Sequence, residues 1–512
     1  MFNFNKGTKA RTRLLNMILC GVFWGILAHG MALFNKYCYH DDAPFFNRVG
    51  VTWRSGRWML GLLEGLFRGI MDDRFYSLSA FKGLLTFVLI AIMLYMVFDF
   101  LEIKDPVMIV LVIGMAISFP SIAGVFGFMF TAPYYYFGAL MGACGACLYF
   151  KFGNIPAMLG GMLLIACSVG VYQVNLTISV CIVLLLLIHT VYHSEKRLAG
   201  MIIDCVKALA LLVGALVLYF LLNQLFLYLN HTTLTDYKGI SSFGTTGIMG
   251  YLGRIFSAYG VFFFPARDLG GNMYPFSSRY VHAALVVIFC ILAVLFLVKV
   301  FRKNVEKGIV LAALFVIFPL GAYLIYVMVD AEFITGLMTY AEVFTFVLAA
   351  WILENLVFEH KAVFWLKRIS VVLIAILLAL TMRFDHLCYT KAEFLQTQAI
   401  SYYTTLISRI TSTEGYTTET PVVYINQRRK KTSRISDTKF KFEPIKMVPY
   451  EVDTLINDYQ WRTSMAMWCG FIPYTEDEKA FKEMTVVKAM PCYPDEGSIR
   501  FIDGCIVVKF AD

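Results

Sequence analysis

The sequence predicts a polytopic α-helical membrane protein with about eleven transmembrane helices and a small C-terminal α+β domain. Of its 512 residues, 59% are hydrophobic and only 15% are charged, and the mean hydropathy is +0.69. A soluble core could not bury that much apolar surface. Apolar stretches of roughly 17–25 residues recur along the first three-quarters of the chain, which is the length a helix needs to cross about 30 Å of hydrocarbon.

The apolar stretches define the predicted spans, whose ends are approximate. They lie at about 14–34, 83–101, 106–127, 132–150, 155–173, 176–192, 205–229, 281–299, 308–329, 340–358 and 369–384. The first stretch follows a cluster of basic residues, as in a signal peptide, but it is longer than the apolar region of a signal peptide and lacks a small-x-small cleavage site. We therefore interpret it as a retained first span.

The distribution of Lys and Arg predicts the orientation. Short segments between alternate spans are almost uniformly basic, and the positive-inside rule places them in the cytoplasm together with the N-terminus. The opposite side then receives two long loops, at 35–82 and 230–280, and the tail. The net charge of +9 is explained by this topology, so we expect membrane lipids and no nucleic acid as partners.

The chain divides by composition into two predicted domains, 1–384 and 385–512. The second part has shorter apolar runs and more polar residues, and it reads as an extracytoplasmic α+β domain. We predict a helix at 392–410 and strands at 422–425 and 505–510. Up to two disulfides would be possible in an oxidising compartment among its four cysteines, which are Cys388, Cys469, Cys492 and Cys505.

The first long loop contains an apolar face at helical spacing. Residues 55–70 place six apolar side chains on one side of a predicted helix: Trp58, Leu62, Leu63, Leu66, Phe67 and Ile70. The pattern is typical of a helix lying in the membrane interface. A helix that caps the bundle explains it equally well.

Candidate catalytic groups also lie in this loop. Asp41 and Asp42 supply a carboxylate that could act as a general base, and Arg57, with Arg54 as second choice, could bind a phosphate. Sugar transfer from a lipid phosphate needs both functions, because an acceptor hydroxyl must lose its proton while the departing phosphate is stabilised. An Asp-Asp pair in a loop is also commonly only a solvated turn.

The other predicted outer segments contain further charged groups. Arg254, in the second loop, is a candidate for a second phosphate ligand, although a structural role is the more common one. Asp330 and Glu332 follow the ninth span, where carboxylates bind a metal or a sugar or simply end the span in water. No group of side chains has the spacing of a metal site, so we assign no metal ligands and require no cofactor, while a divalent metal ion stays open.

Several short motifs resemble the bacterial GtrII-type glucosyltransferases. The opening pattern of that family has Asp-Asp, an Arg and a Gly-Arg-Pro-Leu-like step, and it is similar to Asp41-Asp42, Arg48 and residues 53–60 (WRSGRWML). Pro120, the tyrosines at 134–136 and Tyr172-Gln173 are similar to features of its later spans. The resemblance covers most of the chain. One departure is that Trp58 and Met59 stand where the family has its Pro-containing step.

The resemblance implies a GT-C-like enzyme in the bacterial plasma (inner) membrane. It would transfer glucose or a related hexose from a polyprenyl-phosphate donor to a cell-surface glycan on the outer side, such as O-antigen, by inverting direct displacement. Asp41 and Asp42 would activate the acceptor, and Arg57, Arg54 and Arg254 would face the donor phosphate. Tyr172 and Gln173 would bind sugar hydroxyls or cap a tight turn. A flippase and a donor synthase would be functional partners.

Two other classes of protein fit the same topology. A transporter or lipid-linked-sugar flippase also needs many spans, but such proteins usually carry ionisable groups or broken helices near the bilayer midplane. The predicted spans here are almost free of charge, which favours the enzyme. A non-catalytic assembly protein for surface glycans is the second alternative, and it leaves the acidic pair and the Arg-rich loop unexplained.

Overall fold

Helices dominate the architecture, as the sequence predicts. The computed structural model describes residues 4–36, 53–70, 78–235, 247–264, 278–330, 333–356, 361–426, 445, 450, 455–456 and 461–512. In the first part of the chain the helices are α1 (Phe4–Phe34), α2 (Trp58–Ile70), α3 (Ser79–Phe100), α4 (Pro106–Ile117), α5 (Pro120–Phe126), α6 (Ala132–Phe152), α7 (Ile155–Val171), α8 (Asn175–His193) and α9 (Leu198–Leu229). They are followed by α10 (Ile248–Phe263), α11 (Ser278–Lys303), α12 (Val305–Ala322), α13 (Ile325–Met328), α14 (Phe344–Asn355) and α15 (Lys361–Thr411).

Every predicted span coincides with a helix of the structure. Among the described residues, eight segments are long and apolar enough to cross a membrane: α1, α3, the α4–α5 pair, α8, α9, α11, α12 and α15. The other three predicted spans are α6, α7 and α14. The last two have only 17 and 12 residues, and the tyrosines of α6 make it less apolar. The chain is thus a polytopic helical membrane protein.

Local sequence signals explain where several helices begin and end. Asp105 caps α4 by accepting hydrogen bonds from the amides of Val107 and Met108, and Asn154 caps α7 through the amide of Ala157. Gly153 ends α6 with a φ of +62°, a conformation that favours glycine. These caps satisfy backbone groups that have no partner within the helix.

Two predicted spans are broken rather than continuous. The span at 106–127 divides into α4 and α5 because Pro120 cannot continue the hydrogen-bonding pattern of α4 and instead begins a new helix. In the span predicted at 308–329, helix α12 ends at Ala322, and only the single turn α13 follows it. The chain then runs through short 3₁₀ turns, Gly336–Met338 and Tyr340–Val343, whose backbone is largely buried before α14 begins. Irregular backbone in a membrane protein is tolerated where protein surrounds it.

The loop predictions are confirmed in part. Helix α2 occupies most of the predicted helix at 55–70. Its Leu62, Leu66 and Ile70 are exposed, while Trp58 and Leu63 are buried in the bundle. The second loop contains a helix that was not predicted, α10, of 16 mostly apolar residues.

The described residues separate into two compact units, the first extending to Leu387 and the second beginning at Cys388. The predicted helix at 392–410 is not a separate element, because α15 runs without interruption from Lys361 to Thr411. The second unit also contains α16 (Trp461–Cys469), α17 (Glu478–Lys482), α18 (Thr485–Lys488), β1 (Val422–Ile425), β2 (Ile499–Ile502) and β3 (Cys505–Lys509).

A three-stranded sheet forms the core of the second unit, in the order β1-β3-β2. Strand β3 pairs in parallel with β1 and antiparallel with β2, and Val423, Val507 and Phe481 pack in the apolar core. The predicted strands at 422–425 and 505–510 are therefore confirmed. No disulfide joins the four cysteines of this unit, all of which are described. A disulfide requires that the Cα atoms of the two cysteines lie close together, which the number of cysteines in a sequence does not show. In the folded unit, Cys505 lies in the core of the sheet and Cys469 lies at the end of α16.

Candidate functional site

Polar side chains from four separate segments meet at one end of the helical bundle. The segments are the turn at residues 53–57, the start of α6, the end of α7 and the last turns of α9. The predicted topology places all of them on the same side of the membrane. We call the residues Arg57, Tyr135, Tyr172, Gln173 and Tyr219 the polar cluster.

Arg57 is the charged member of the polar cluster. Its Nη1 atom donates a hydrogen bond to the hydroxyl of Tyr135 at 3.2 Å, and its guanidinium carbon lies 4.9 Å from the centre of the Tyr172 ring. The two tyrosine rings stack with centroids 4.5 Å apart. A half-buried guanidinium held against aromatic faces keeps its charge and a fixed direction. This geometry suits recognition of a phosphate.

Gln173 and Tyr219 fix the backbone that precedes Arg57. The amide nitrogen of Gln173 donates to the carbonyl of Ser55 and, at 3.3 Å, to the hydroxyl of Tyr219. That hydroxyl in turn donates to the carbonyl of Gly56 at 3.1 Å. Gly56 adopts a φ of +75°, which lets the chain turn sharply beneath these two side chains. The direction of Arg57 therefore depends on helices α7 and α9.

Aromatic packing anchors the same turn on α7 and α9. Trp53 and Trp58 both stack on Phe226, with ring centroids 5.8 and 5.3 Å away. Trp58 also lies directly against Gly170, where a Cβ atom would approach its ring to 2.5 Å. These contacts fix the start of α2 against α7 and α9.

The structure brings three of the predicted site residues together and separates the others. Arg57, Tyr172 and Gln173 belong to the polar cluster, although more than a hundred residues separate the first from the other two. Arg54 is exposed, and its backbone carbonyl accepts hydrogen bonds from the amide and hydroxyl of Thr235, at 2.8 and 3.0 Å. Asp41 and Asp42 lie outside the described residues, so their assignment as the base stays a prediction.

Arg254 lies in a different environment. Its guanidinium forms an ion pair with Asp330, and its Nη1 atom donates to the carbonyl of Val327 at 3.3 Å. These contacts connect α10 to the end of α13. A carboxylate already balances this charge, so the role of Arg254 towards a donor phosphate stays a prediction, and Asp330 has a structural partner.

Several polar residues near the site were not predicted. Tyr219 and Asn223 stand four residues apart on α9 and share a face, a pattern that could have been noticed because polar residues are uncommon in an apolar span. Asn223 is 3% exposed, and its side-chain oxygen accepts no hydrogen bond from the residues that the structure describes. A buried acceptor without a hydrogen bond is costly, so this oxygen is a notable feature of the α9 face that carries Tyr219.

The inner part of the bundle also contains buried polar groups. Glu342 is 3% exposed, and its carboxyl group forms a hydrogen bond with the side chain of Tyr323. The ring of Tyr340 meets that of Tyr136 edge-on, with ring centroids 5.0 Å apart. Glu342 is thus an exception to the expectation that the spans are almost free of charge, since it lies inside the span predicted at 340–358. One or two carboxylates hardly lower the mean hydropathy of a long apolar stretch, so hydropathy alone does not single out Glu342.

These observations define a polytopic membrane protein with a polar, arginine-containing site at one end of its bundle. The family model for glucosyl transferase GtrII matches residues 30–350, a range that includes the whole polar cluster. The chain belongs to this family and is a membrane glycosyltransferase. Searches of curated proteins and of solved structures gave no match.

Proposed function

We propose that the protein transfers glucose or a related hexose from a polyprenyl-phosphate carrier to a cell-surface glycan on the outer side of the bacterial plasma membrane. The observation that carries this proposal is the convergence of Arg57 with Tyr135, Tyr172 and Gln173 at one end of the bundle. A lipid-linked donor presents its phosphate at the boundary between lipid and water. A positioned guanidinium at that depth can neutralise the phosphate as it leaves.

In the proposed reaction, the hydroxyl oxygen of the acceptor attacks the anomeric carbon of the donor sugar. The bond between that carbon and the phosphate oxygen breaks, and the phosphate leaves with the electron pair. Asp41 or Asp42 takes the proton of the acceptor hydroxyl. Direct displacement from the opposite face inverts the configuration of the sugar. Arg57 stabilises the charge on the departing polyprenyl phosphate.

The remaining polar groups of the site suit the sugar. Asn223 offers a buried acceptor beside the turn that positions Arg57, and the Tyr135–Tyr172 stack forms an aromatic wall next to the guanidinium. Pockets that bind small polar ligands combine such apolar walls with a few directed hydrogen-bonding groups. We assign this wall and Asn223 to the hexose and Arg57 to the phosphate.

The test of this proposal measures sugar transfer in membranes containing equal amounts of each protein. Labelled polyprenyl-phosphate-glucose and a labelled nucleotide-glucose are offered separately, with surface glycan as acceptor. We expect transfer only from the lipid donor. We also expect sugar transfer to be lost in either Asp41→Asn or Asp42→Asn, depending on which of the two carboxylates is the base. The control variant Asp99→Asn, which changes an exposed carboxylate near the end of α3, should retain transfer.

Transfer that is unaffected by both acidic-pair substitutions would contradict the assigned base. An absence of transfer by the wild-type chain with the lipid donor and a range of acceptors would contradict the function itself. Movement of the intact lipid-linked sugar across the membrane without transfer would instead identify a flippase.

A further inference from the structure

A histidine and an aspartate meet inside the helical unit, away from the polar cluster. His29 lies on α1 and Asp385 on α15, and both side chains are 0% exposed. The Nε2 atom of His29 is 4.0 Å from the nearer carboxylate oxygen of Asp385. Ionisable groups buried this completely in a membrane protein are costly, so they commonly have a function. Neither residue lies within the range matched by the family model.

His29 contacts a backbone carbonyl and two aromatic rings. Its Nε2 atom is 2.8 Å from the carbonyl oxygen of Ile117, and because a carbonyl can only accept, this nitrogen must carry a hydrogen. The imidazole ring stacks on Phe87 and meets Phe126 edge-on, with centroids 5.7 and 5.1 Å away. These contacts fix the ring between α3, α4 and α5.

Asp385 has no comparable hydrogen bonds. Both of its carboxylate oxygens are buried and accept no hydrogen bond from any residue that the structure describes. A buried, ionised carboxylate without hydrogen bonds is strongly unfavourable. Asp385 therefore requires either a proton of its own or a positive charge beside it.

Two protonation states of the pair are unfavourable. An ionised Asp385 next to a neutral His29 leaves one buried negative charge, and a neutral Asp385 next to a charged imidazole leaves one buried positive charge. The favourable states lie between these two: a single titratable proton, held on either the carboxylate or the imidazole, makes the pair neutral overall. We propose that His29 and Asp385 together form a binding site for one proton, which fastens α15 to α1.

Ionisable groups on the helices that carry or contact the pair have partners of their own. His386, the next residue on α15, contacts the carbonyl oxygen of Leu27 on α1 through Nε2 at 2.7 Å. Lys82, at the start of α3, donates to the carbonyl oxygen of Phe130 at 2.9 Å. The hydroxyls of Ser118 on α4 and Thr381 on α15 form a neutral hydrogen bond of 3.1 Å, and the ammonium of Lys367 on α15 is paired at 2.9 Å with Asp105, the residue that caps α4.

The proposed site makes the stability of the helical unit depend on pH. Loss of the proton leaves the charge of Asp385 buried and uncompensated, so the contact between α1 and α15 weakens as the pH rises. An asparagine at position 385 has nearly the same shape and carries no charge at any pH. This variant reproduces the neutral state without needing the proton.

The experiment measures thermal unfolding of the purified full-length chain in detergent between neutral and alkaline pH. We expect the Tm of the wild-type chain to fall with rising pH relative to that of Asp385→Asn. The variant should not show this part of the fall, because it has no carboxyl group at position 385 to lose a proton. The double variant His29→Gln, Asp385→Asn removes both groups and should likewise not show this part of the fall in Tm. Glu393→Gln, which changes an exposed carboxylate on the same helix, should follow the wild-type profile.

Parallel pH profiles for the wild-type chain and Asp385→Asn would overturn the proposal. If Asp385→Asn does not fold, infrared spectroscopy and histidine NMR on the wild-type chain provide the second measurement. At neutral pH we expect either a protonated buried carboxyl group or a charged His29. A spectrum showing an ionised Asp385 beside a neutral His29 would refute the site. Neither measurement depends on the identity of the sugar donor.

Discussion

Gly56 gives the sharpest test of how the polar cluster is built. Its φ of +75° lies in the left-handed region, where a residue with a side chain costs about 1–2 kcal/mol more than glycine. In Gly56→Ala the new Cβ atom would lie 2.7 Å from the Tyr219 hydroxyl and 3.0 Å from the Gln173 amide nitrogen. Moving either group away disrupts a hydrogen bond worth about 1 kcal/mol.

The combined penalty is about 2–3 kcal/mol, which corresponds to roughly 30- to 150-fold in an equilibrium or rate constant. Because the affected turn holds Arg57, we expect Gly56→Ala to reduce glucosyl transfer at low donor concentration by about that factor. The assay compares transfer rates and Tm at matched protein levels. Gly65→Ala is the matched control, since no atom lies within 4 Å of the position of its Cβ.

A second substitution distinguishes a local clash from general misfolding. Tyr219→Phe removes the hydroxyl that the new methyl group meets, so part of the loss in Gly56→Ala should be recovered when both changes are combined. The two effects should therefore not add. Wild-type transfer by Gly56→Ala, or strict additivity with Tyr219→Phe, would refute the reasoning.

Two further predictions concern single contacts. Tyr135→Phe removes the hydroxyl that accepts a hydrogen bond from Arg57. We expect donor binding to weaken about 5- to 10-fold, which corresponds to the loss of one typical hydrogen bond of about 1 kcal/mol, and unchanged binding would count against this contact. Burial alone would raise the pKa of Asp105, but the ammonium of Lys367 at 2.9 Å and the amides that Asp105 caps hold that pKa below its ordinary value. The ionised Asp105 therefore stabilises the fold at any pH above the pKa that its carboxyl group has in the unfolded chain. This stabilisation is lost as the pH falls through the lower pKa of Asp105 in the folded chain. The Tm difference between the wild-type chain and Asp105→Asn should shrink on acidification, and a constant difference would contradict this.

Much of the fold is readable from the sequence because the bilayer imposes a simple rule. Each span needs a long apolar helix, and eight of the eleven predicted spans coincide with one among the described residues, while the other three coincide with shorter or less apolar helices. The breaks are harder to predict, since Pro120 occurs inside an otherwise continuous apolar run. Helix α10 lies in the segment 230–280 that the sequence predicts as a loop, and its 16 residues are fewer than a typical span needs.

The candidate site shows a similar division. Residue type and motif identified Arg57, Tyr172 and Gln173, which the folded chain brings together. The contribution of Tyr219 depends on which face of α9 meets the turn at Gly56, and tertiary packing decides that. Cysteine count suggested disulfides in the second unit, yet pairing requires a Cα separation that a sequence does not specify.

The central claim, that Arg57 binds the phosphate of a lipid-linked sugar, is tested most directly by equilibrium binding of polyprenyl-phosphate-glucose to the purified chain. We expect Arg57→Ala to weaken binding at least tenfold and Arg57→Lys to restore it only in part, because an ammonium group lacks the planar fork of guanidinium. Arg302→Ala, which changes an exposed arginine in the last turn of α11, should bind like the wild-type chain. Equal binding by Arg57→Ala and the wild-type chain would contradict the account.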